Sequence, residues 1–281
     1  MRILFFGDVF GRPGREALAY IVPRWKEAHR PDCIIANGEN MSHGAGISER
    51  SIEALLSAGI QIITGGNHSF EGKNASALLN DSSLPLVRPA NMPSDAPGRG
   101  FAYFGIKNGK AVSCEDVEDA AILVINLIGQ THMRYHYPSP FREADLILEK
   151  TIASGAREMH PPIFVDWHAD VSSEKVALGW YLDGRVSAVV GTHGHTPTAD
   201  ARILPNGTGL ISDVGMVGPH YSVIGQEITA NLERFVRQVP KKVDVAPAPP
   251  YEINAVLLDI DDTTKKTTTI RHLRSILEAL S

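Results

Sequence analysis

The sequence has few cysteines, no excess of positive charge and no long apolar run. Cys33 lies in an apolar segment and Cys114 in a polar one, which does not suggest a disulfide framework, so we expect two reduced thiols without a catalytic role. The chain has 27 Lys and Arg against 32 Asp and Glu, a formal net charge of -5, which excludes a broad cationic surface for DNA or RNA. Polymeric nucleic acid is therefore not the expected ligand.

The apolar runs are short. The run at the N-terminus ends at Phe6 and is too short for a signal peptide, and no later run approaches the roughly 20 apolar residues of a membrane span. We therefore expect a cytoplasmic protein without a membrane partner. With 43% hydrophobic and 21% charged residues over 281 positions, the composition is typical of a globular protein, and we expect one domain over residues 1–281.

Predicted strands and helices alternate along the chain. Residues 2–6 and Cys33 to Ala36 are predicted as strands and Pro13 to Ala28 as the helix between them, which makes a βαβ unit. Further helices are predicted near 48–57, 71–80, 142–157 and 173–182, and further strands at 61–64, 86–88, 120–127, 163–165, 187–190 and 209–212. Residues 91–118 indicate a loop plus a hairpin, 239–250 a connector and 251–270 a second hairpin. The pattern predicts an α/β fold with helices on the sheet faces.

Three common catalytic motifs are missing. The glycine-rich turn from Gly7 to Gly14 follows a predicted strand, but its spacing is wrong for the dinucleotide fingerprint Gly-x-Gly-x-x-Gly. The chain also lacks the Gly-Lys-Ser/Thr of a P-loop and the Gly-x-Ser-x-Gly of a nucleophile elbow. A hydrolase acting on amide or ester bonds is disfavoured because no nucleophile or oxyanion motif is present, although it stays open.

Side chains that can bind metal recur just after five predicted strands. These residues are Asp8, Glu39, Asn40, Asn67, His68, His168, His193 and His195. Each alone has an ordinary explanation as a turn, a cap or a structural histidine. Because the carboxyl ends of strands in α/β sheets form the binding crevice, we expect these side chains to converge there.

The sharpest local signal is His193-Gly194-His195, whose two imidazoles can reach two adjacent metal ions because only a glycine separates them. A metallo-β-lactamase-like site would require a carboxylate two residues after His195, but that position is Pro197. That alternative is weaker.

In order, the motifs are Gly7-Asp8-Val9, Asn37-Gly38-Glu39-Asn40, Gly66-Asn67-His68, the lone His168 and Gly191-Thr192-His193-Gly194-His195. This order resembles that of the calcineurin-like metallophosphoesterases. From residue 2 to about residue 271 the chain resembles more closely their YmdB-like branch, which shares Phe10 in place of a histidine of the wider superfamily and Glu39 in place of an aspartate. The resemblance implies a four-layer α/β/β/α sandwich, two mixed sheets flanked by helices, with a metal site at the strand C-terminal ends.

The resemblance also implies the ligand sets. One ion would be held by Asp8, Glu39, Asn40 and His195, and the other by Glu39, Asn67, His168 and His193, so that Glu39 bridges them. The implied metals are iron or manganese, which suit mixed oxygen and imidazole ligands, and the lack of thiolate ligands argues against a structural zinc site.

From the residues alone we expect phosphoester hydrolysis. The resemblance implies a small phosphodiester as the substrate, with a 2′,3′-cyclic nucleotide as the best candidate and monoester or general phosphodiester hydrolysis as side reactions. Two ions about 3.5–4 Å apart would bind the phosphoryl oxygens and activate water for attack on phosphorus. His68, beside a metal-binding Asn67, would protonate the departing oxygen, because histidine exchanges protons near neutral pH.

Several expectations about surroundings and partners remain open. Arg12, Arg15, Asn91 and the loop from Asp213 to Gly218 are candidates for lining the pocket, while a solvated arginine or a structural turn is the ordinary explanation of each. The alternative function is a metal-containing regulatory protein that binds a nucleotide with little turnover and would not need His68. For the oligomeric state, the only argument is the general frequency of symmetric dimers, which makes a homo-oligomer a possible partner arrangement.

Overall fold

The computed structural model describes residues 1–114, 119–152 and 160–280, and within them two seven-stranded sheets pack together between helices. The helices are α1 (Gly11–His29), α2 (Glu49–Ala58), α3 (Ala75–Asn80), α4 (Pro140–Ile152), α5 (Ser172–Tyr181) and α6 (Ile228–Arg237). Among these described residues, no helix combines the length and the apolar character that crossing a membrane requires.

The first sheet has the strand order β12-β13-β1-β2-β3-β4, with β14 paired to β13. Its strands are β1 (Arg2–Phe6), β2 (Cys33–Asn37), β3 (Ile62–Thr64), β4 (Leu86–Val87), β12 (Gly218–Pro219), β13 (Tyr251–Ile260) and β14 (Thr267–Leu277). β1 to β4 are parallel to one another, whereas β13 runs antiparallel to β1. The sheet is therefore mixed.

The second sheet has the order β10-β11-β9-β8-β7-β5-β6. Its strands are β5 (Phe101–Lys107), β6 (Lys110–Cys114), β7 (Ile122–Ile128), β8 (Ile163–His168), β9 (Ala188–Thr192), β10 (Arg202–Ile203) and β11 (Gly209–Ile211). Its central strands β7, β8, β9 and β11 are parallel, and the strands at its edges are antiparallel.

The alternation within β1 shows how the layers form. Ile3 and Phe5 pack into the core between the two sheets, where Phe5 meets Phe164 of β8 with ring centroids 5.1 Å apart. Leu4 and Phe6 point the other way and pack against α1 and α2. A strand that is buried on both faces needs apolar residues at every position, which explains the unbroken apolar run in the sequence.

The outer face of the second sheet is covered in the same way. Leu123, Ile125 and Leu127 of β7 pack against α4 and α5. The order of layers is helices, sheet, sheet, helices, so the predicted four-layer α/β/β/α sandwich with two mixed sheets is confirmed.

Some elements differ from the sequence predictions. α1 covers Gly11–His29, slightly longer than the predicted helix Pro13 to Ala28, and α3 covers only the second half of the predicted helix 71–80. α4 begins at Pro140, and the predicted segment 153–157 lies outside the described residues, as does 115–118 in the first hairpin. The short strands β10 and β12 and the helix α6 had no counterpart in the predictions.

Candidate metal centre

The predicted metal-binding side chains lie at one edge of both sheets. Asp8, Glu39 with Asn40, and Asn67 follow the parallel strands β1, β2 and β3 of the first sheet. His168 is the last residue of β8 and His193 follows β9, both in the second sheet. The site therefore joins the two sheets at the carboxyl ends of their parallel strands, where such sheets bind ligands.

His168 is at the centre of the inner cluster. Its Nε2 lies 2.9 Å from Oδ1 of Asn67, 3.1 Å from Nδ1 of His193 and 3.2 Å from Oε2 of Glu39. Glu39, His168 and His193 each offer one candidate ligand atom, and these three atoms lie within 4.8 Å of one another. Since one nitrogen carries at most one hydrogen, it cannot satisfy three such neighbours at once, and a bound cation would use all four atoms together.

Asp8, Asn40 and His195 lie beside this cluster. Nε2 of His195 is 3.2 Å from Oδ1 of Asn40, and the backbone N–H of His193 donates to Oδ2 of Asp8 at 3.1 Å. Asp8 Oδ1 is also 3.9 Å from Nδ1 of His168. The seven side chains of the two implied ligand sets therefore lie together at this edge of the sheets.

A buried carboxylate that the sequence analysis missed orients His168. Asp166 Oδ1 accepts the hydroxyl proton of Thr192 at 2.7 Å, and Thr192 Oγ1 lies 2.9 Å from Nδ1 of His168. Because the single hydroxyl hydrogen of Thr192 is used on Asp166, Nδ1 of His168 must be the donor in that second bond. Nε2 of a neutral His168 is then free to bind a cation.

Asp166 itself is fully buried and held by further donors. Its Oδ2 accepts from Asn37 Nδ2 at 2.9 Å and from the hydroxyl of Thr64. Burial raises the pKa of Asp166 to about 6, against the opposing effect of His168 and of these hydrogen bonds. Asp166 was missed because it lies in an apolar strand, and an acid two residues before His168 was the only signal for it.

The electrostatics of the metal-free cluster are those of tightly packed opposite charges. Burial acts to raise the pKa of Glu39, but the charge and hydrogen bond of His168 outweigh it and lower that pKa to about 2. Burial acts to lower the pKa of His168, yet Glu39 and Asp8 raise it to about 9. Burial and the charge of His168 lower the pKa of His193 to about 3, so its imidazole is neutral. Burial raises the pKa of Asp8.

A buried ion pair supports the turn that carries the two histidines. Lys175 Nζ donates to Oδ2 of Asp213 at 2.5 Å and to the carbonyl of Thr192 at 2.8 Å, and the same Oδ2 accepts the N–H of Gly194 at 2.8 Å. His193 and His195 have φ values of 93° and 60°, which L-residues rarely adopt. The ion pair stabilises this strained turn through its hydrogen bonds to the backbone of Thr192 and Gly194.

The residues present fit a divalent metal. Asp8 and Glu39 are buried, and among the described residues neither forms an ion pair with lysine or arginine. A methyl group at Gly66 would collide with Glu39 Oε2 and His168 Nε2, so only glycine leaves this space open. Mixed carboxylate, amide and imidazole donors suit first-row transition metals.

His68 lies at the rim of the cluster. Its backbone N–H donates to Glu39 Oε2 at 3.0 Å, while its ring turns away and Nδ1 lies 2.9 Å from Oε1 of Glu71. The side chain is 32% exposed. The His68 ring can therefore contact a bound substrate without displacing any side chain of the cluster.

The other candidates for lining the pocket have structural partners. Arg12 is exposed and pairs with Glu16, and Arg15 donates to the carbonyl of Met41. Asn91 is 1% exposed and bonds to Ile128 and Pro138, so it lies behind the pocket wall. Asp213 is used in the ion pair with Lys175, which the sequence analysis did not identify because it joins a helix to a distant loop.

A four-layer sandwich with a mixed oxygen and nitrogen cluster at the joined strand ends is the architecture of the metallophosphoesterases. The model of the YmdB-like protein family matches residues 4–273 of this chain. A 2′,3′-cyclic-nucleotide 2′-phosphodiesterase of Bacillus subtilis (strain 168) is 43% identical over 274 residues, covering 97% of this chain and 96% of that protein. The chain therefore belongs to the YmdB-like family of metallophosphoesterases.

Two solved structures agree with this assignment. A crystal structure of a Thermus thermophilus protein, described as hypothetical, is 36% identical with a TM-score of 0.85, covering 99% of this chain and 100% of that chain. A crystal structure of a novel phosphatase from Mycoplasma pneumoniae is 30% identical with a TM-score of 0.85, covering 98% of this chain and 93% of that chain. The protein is an enzyme that acts on phosphoesters.

Proposed function

We propose that this enzyme is a dinuclear metal-dependent phosphodiesterase that hydrolyses small phosphodiesters, with 2′,3′-cyclic nucleotides as its substrate. The observation that carries the proposal is the cluster of Glu39, Asn67, His168 and His193, in which Glu39 and His168 are buried. The name of the Bacillus subtilis relative supports this substrate class.

In this proposal Asp8, Glu39, Asn40 and His195 hold one ion, and Glu39, Asn67, His168 and His193 hold the other. Glu39 is shared. Iron is the proposed metal, with manganese as the alternative, because the set has carboxylate, amide and imidazole donors and no thiolate. Ions bound there would offset the charge of the phosphoryl oxygens and make water more acidic.

His68 is the proposed proton donor. When water adds to phosphorus and a ring P–O bond of the cyclic phosphate breaks, the departing ribose oxygen needs a proton. Nδ1 of His68 is hydrogen-bonded to Glu71, which leaves Nε2 to carry a proton toward that oxygen.

The first test measures hydrolysis of 2′,3′-cyclic, 3′,5′-cyclic and linear nucleotides and of an aryl phosphate, with Mn²⁺ or Fe²⁺ added. We expect 2′,3′-cyclic nucleotides to be turned over fastest, and Glu39→Ala to lose both bound metal and activity. A metal-loaded protein that is inert on every substrate would contradict the proposal and favour a regulatory, nucleotide-binding role.

The second test separates His68 from the metal ligands. His68→Ala should lower kcat by about 100-fold or more, the usual contribution of general acid catalysis, with metal content near that of the wild type. His29→Ala, at the far end of α1, is the matched control and should behave as the wild type. If His68→Ala lost metal and activity equally, the role of proton donor would be wrong.

A further inference from the structure

A cavity of about 480 Å³ opens beside the metal centre. Three segments line it: the turn after β3, the loop that follows β4, and the loop between β7 and α4. Its volume is within the range of about 300–1,000 Å³ that small-molecule pockets occupy.

The walls of this cavity are aromatic and apolar. We call Phe70, Met92, Tyr135 and Tyr137 the aromatic pocket. Met92 and Tyr137 belong to one buried cluster, against which Phe70 packs. Tyr135 is 54% exposed, and its ring meets that of Tyr137 edge-on with centroids 6.0 Å apart. A large exposed ring beside buried ones offers a flat surface on which a planar group can stack.

Two residues connect the aromatic pocket to the metal centre. Asn67 lines the cavity and places Oδ1 2.9 Å from Nε2 of His168. Glu71 also lines the cavity and places Oε1 2.9 Å from Nδ1 of His68. A molecule with its phosphodiester at the metal centre would therefore extend a neighbouring part into this cavity.

The wall carrying the tyrosines is held in place by side-chain hydrogen bonds. Asn91 Nδ2 donates to the carbonyls of Ile128 at 2.8 Å and Pro138 at 2.9 Å. Gln130 Nε2 donates to the carbonyl of Tyr137 at 2.7 Å. The loop is thus tied to the end of β7, so the cavity is shaped before a ligand enters.

Polar groups stand at the rim. The Arg134 guanidinium lies 5.3 Å from the centroid of the Tyr135 ring, and His136 also lines the cavity. Arg134 supplies N–H donors and Glu71 supplies carboxylate acceptors, the two kinds of group that the edge of a nucleobase requires.

We propose that the aromatic pocket binds the base of the nucleotide substrate, with Tyr135 stacking on the base and the phosphodiester at the metal centre. This inference rests on the proposed function. It explains how an enzyme whose metal centre recognises any phosphodiester would favour one that carries a nucleobase.

The test compares adenosine 2′,3′-cyclic phosphate with glycerol 1,2-cyclic phosphate, which lacks both the base and the ribose ring, as substrates of the manganese-loaded protein. Base stacking on an aromatic residue contributes enough that Tyr135→Ala should raise KM for the nucleotide by on the order of tenfold. The ratio of kcat/KM for the nucleotide to that for the glycerol ester should fall by about the same factor. Tyr135→Phe should keep the wild-type ratio, because the ring is retained.

The matched control is Tyr181→Ala, which removes an exposed tyrosine on α5, away from the cavity. An unchanged ratio in Tyr135→Ala would overturn the inference while leaving the phosphodiesterase in place. If the wild type turns over neither ester, the proposed function fails, and calorimetric titration with adenosine 3′-monophosphate decides the inference separately. Tighter binding to the wild type than to Tyr135→Ala would then support the base site, and equal binding would refute it.

Discussion

His168 shows how a single residue is prepared for its role by groups that never reach the substrate. Asp166 accepts the proton of Thr192, Thr192 accepts from Nδ1 of His168, and Nε2 is thereby directed toward Glu39, Asn67 and His193. Groups that orient a metal-binding histidine typically contribute about 10- to 100-fold to metal affinity.

We therefore expect Thr192→Val to weaken Mn²⁺ binding by about 10- to 100-fold, because the hydroxyl that sets the tautomer of His168 is lost. Isothermal titration with Mn²⁺ measures the change. Thr192→Ser keeps the hydroxyl and should bind as the wild type does. Equal affinities for the valine variant and the wild type would show that the relay has no effect on the metal.

The raised pKa of His168, about 9, predicts how metal affinity depends on pH. Below that pH the metal-free protein carries a second ring proton on His168, at Nε2, and this proton must leave before Nε2 can bind an ion. The apparent affinity for Mn²⁺ should thus increase by about tenfold per pH unit from about pH 6 to about pH 9. Titrations across this range measure the slope, and a flat profile would contradict the protonated state.

At the scale of elements, the turn that follows β9 is held in place by an adjacent helix. Lys175 on α5 and Asp213 after β11 have side chains that are 4% and 3% exposed, and their ion pair also binds the backbone of Thr192 and Gly194. The positions of His193 and His195 therefore depend on how α5 packs against the sheet.

Lys175→Met should destabilise the protein by about 3–5 kcal/mol, because it leaves the buried Asp213 carboxylate without its cation. Urea denaturation of the metal-free protein measures the free energy of unfolding. Lys175→Met with Asp213→Asn should recover part of the loss, since no charge is then left unpaired. A loss below about 1 kcal/mol, the range of exposed ion pairs, would mean that water reaches this pair.

At the scale of the whole molecule, the metal centre joins the two sheets. Asp8, Glu39 and Asn67 come from the first sheet, and His168, His193 and His195 from the second. An ion bound between them would add a further connection to the apolar core of Phe5, Phe164 and their neighbours and to the hydrogen bonds of Asp166 with Asn37 and Thr64, which already join the two sheets.

Removing the metal should therefore lower the melting temperature. At a free metal concentration of about 100 times Kd, binding adds about 2.7 kcal/mol to the free energy of unfolding, which corresponds to several degrees. Scanning calorimetry before and after chelation, and after adding Mn²⁺ again, measures the shift. Glu39→Gln should show little difference between the two states, and a wild type that melts identically with and without metal would contradict a centre that joins the sheets.

The sequence by itself determined the alternation of strands and helices and the positions after the strands where side chains that can bind metal occur, and its motifs implied the four-layer sandwich through the family resemblance. These are local or motif-level properties: Ile3 to Phe6 must be buried on both faces, and Gly66-Asn67-His68 follows a strand as a contiguous motif. The exact ends of helices were less well predicted, as where α3 begins at Ala75 and not at residue 71, since capping and packing decide them.

Only the tertiary structure decided which distant side chains meet. The contact of Asp166 with Thr64 and Asn37, the ion pair of Lys175 with Asp213, and the cavity in which Phe70 and Tyr137 share a wall all join residues from separate elements. Such contacts depend on how the sheets and helices pack, and no local pattern of residue types carries that information.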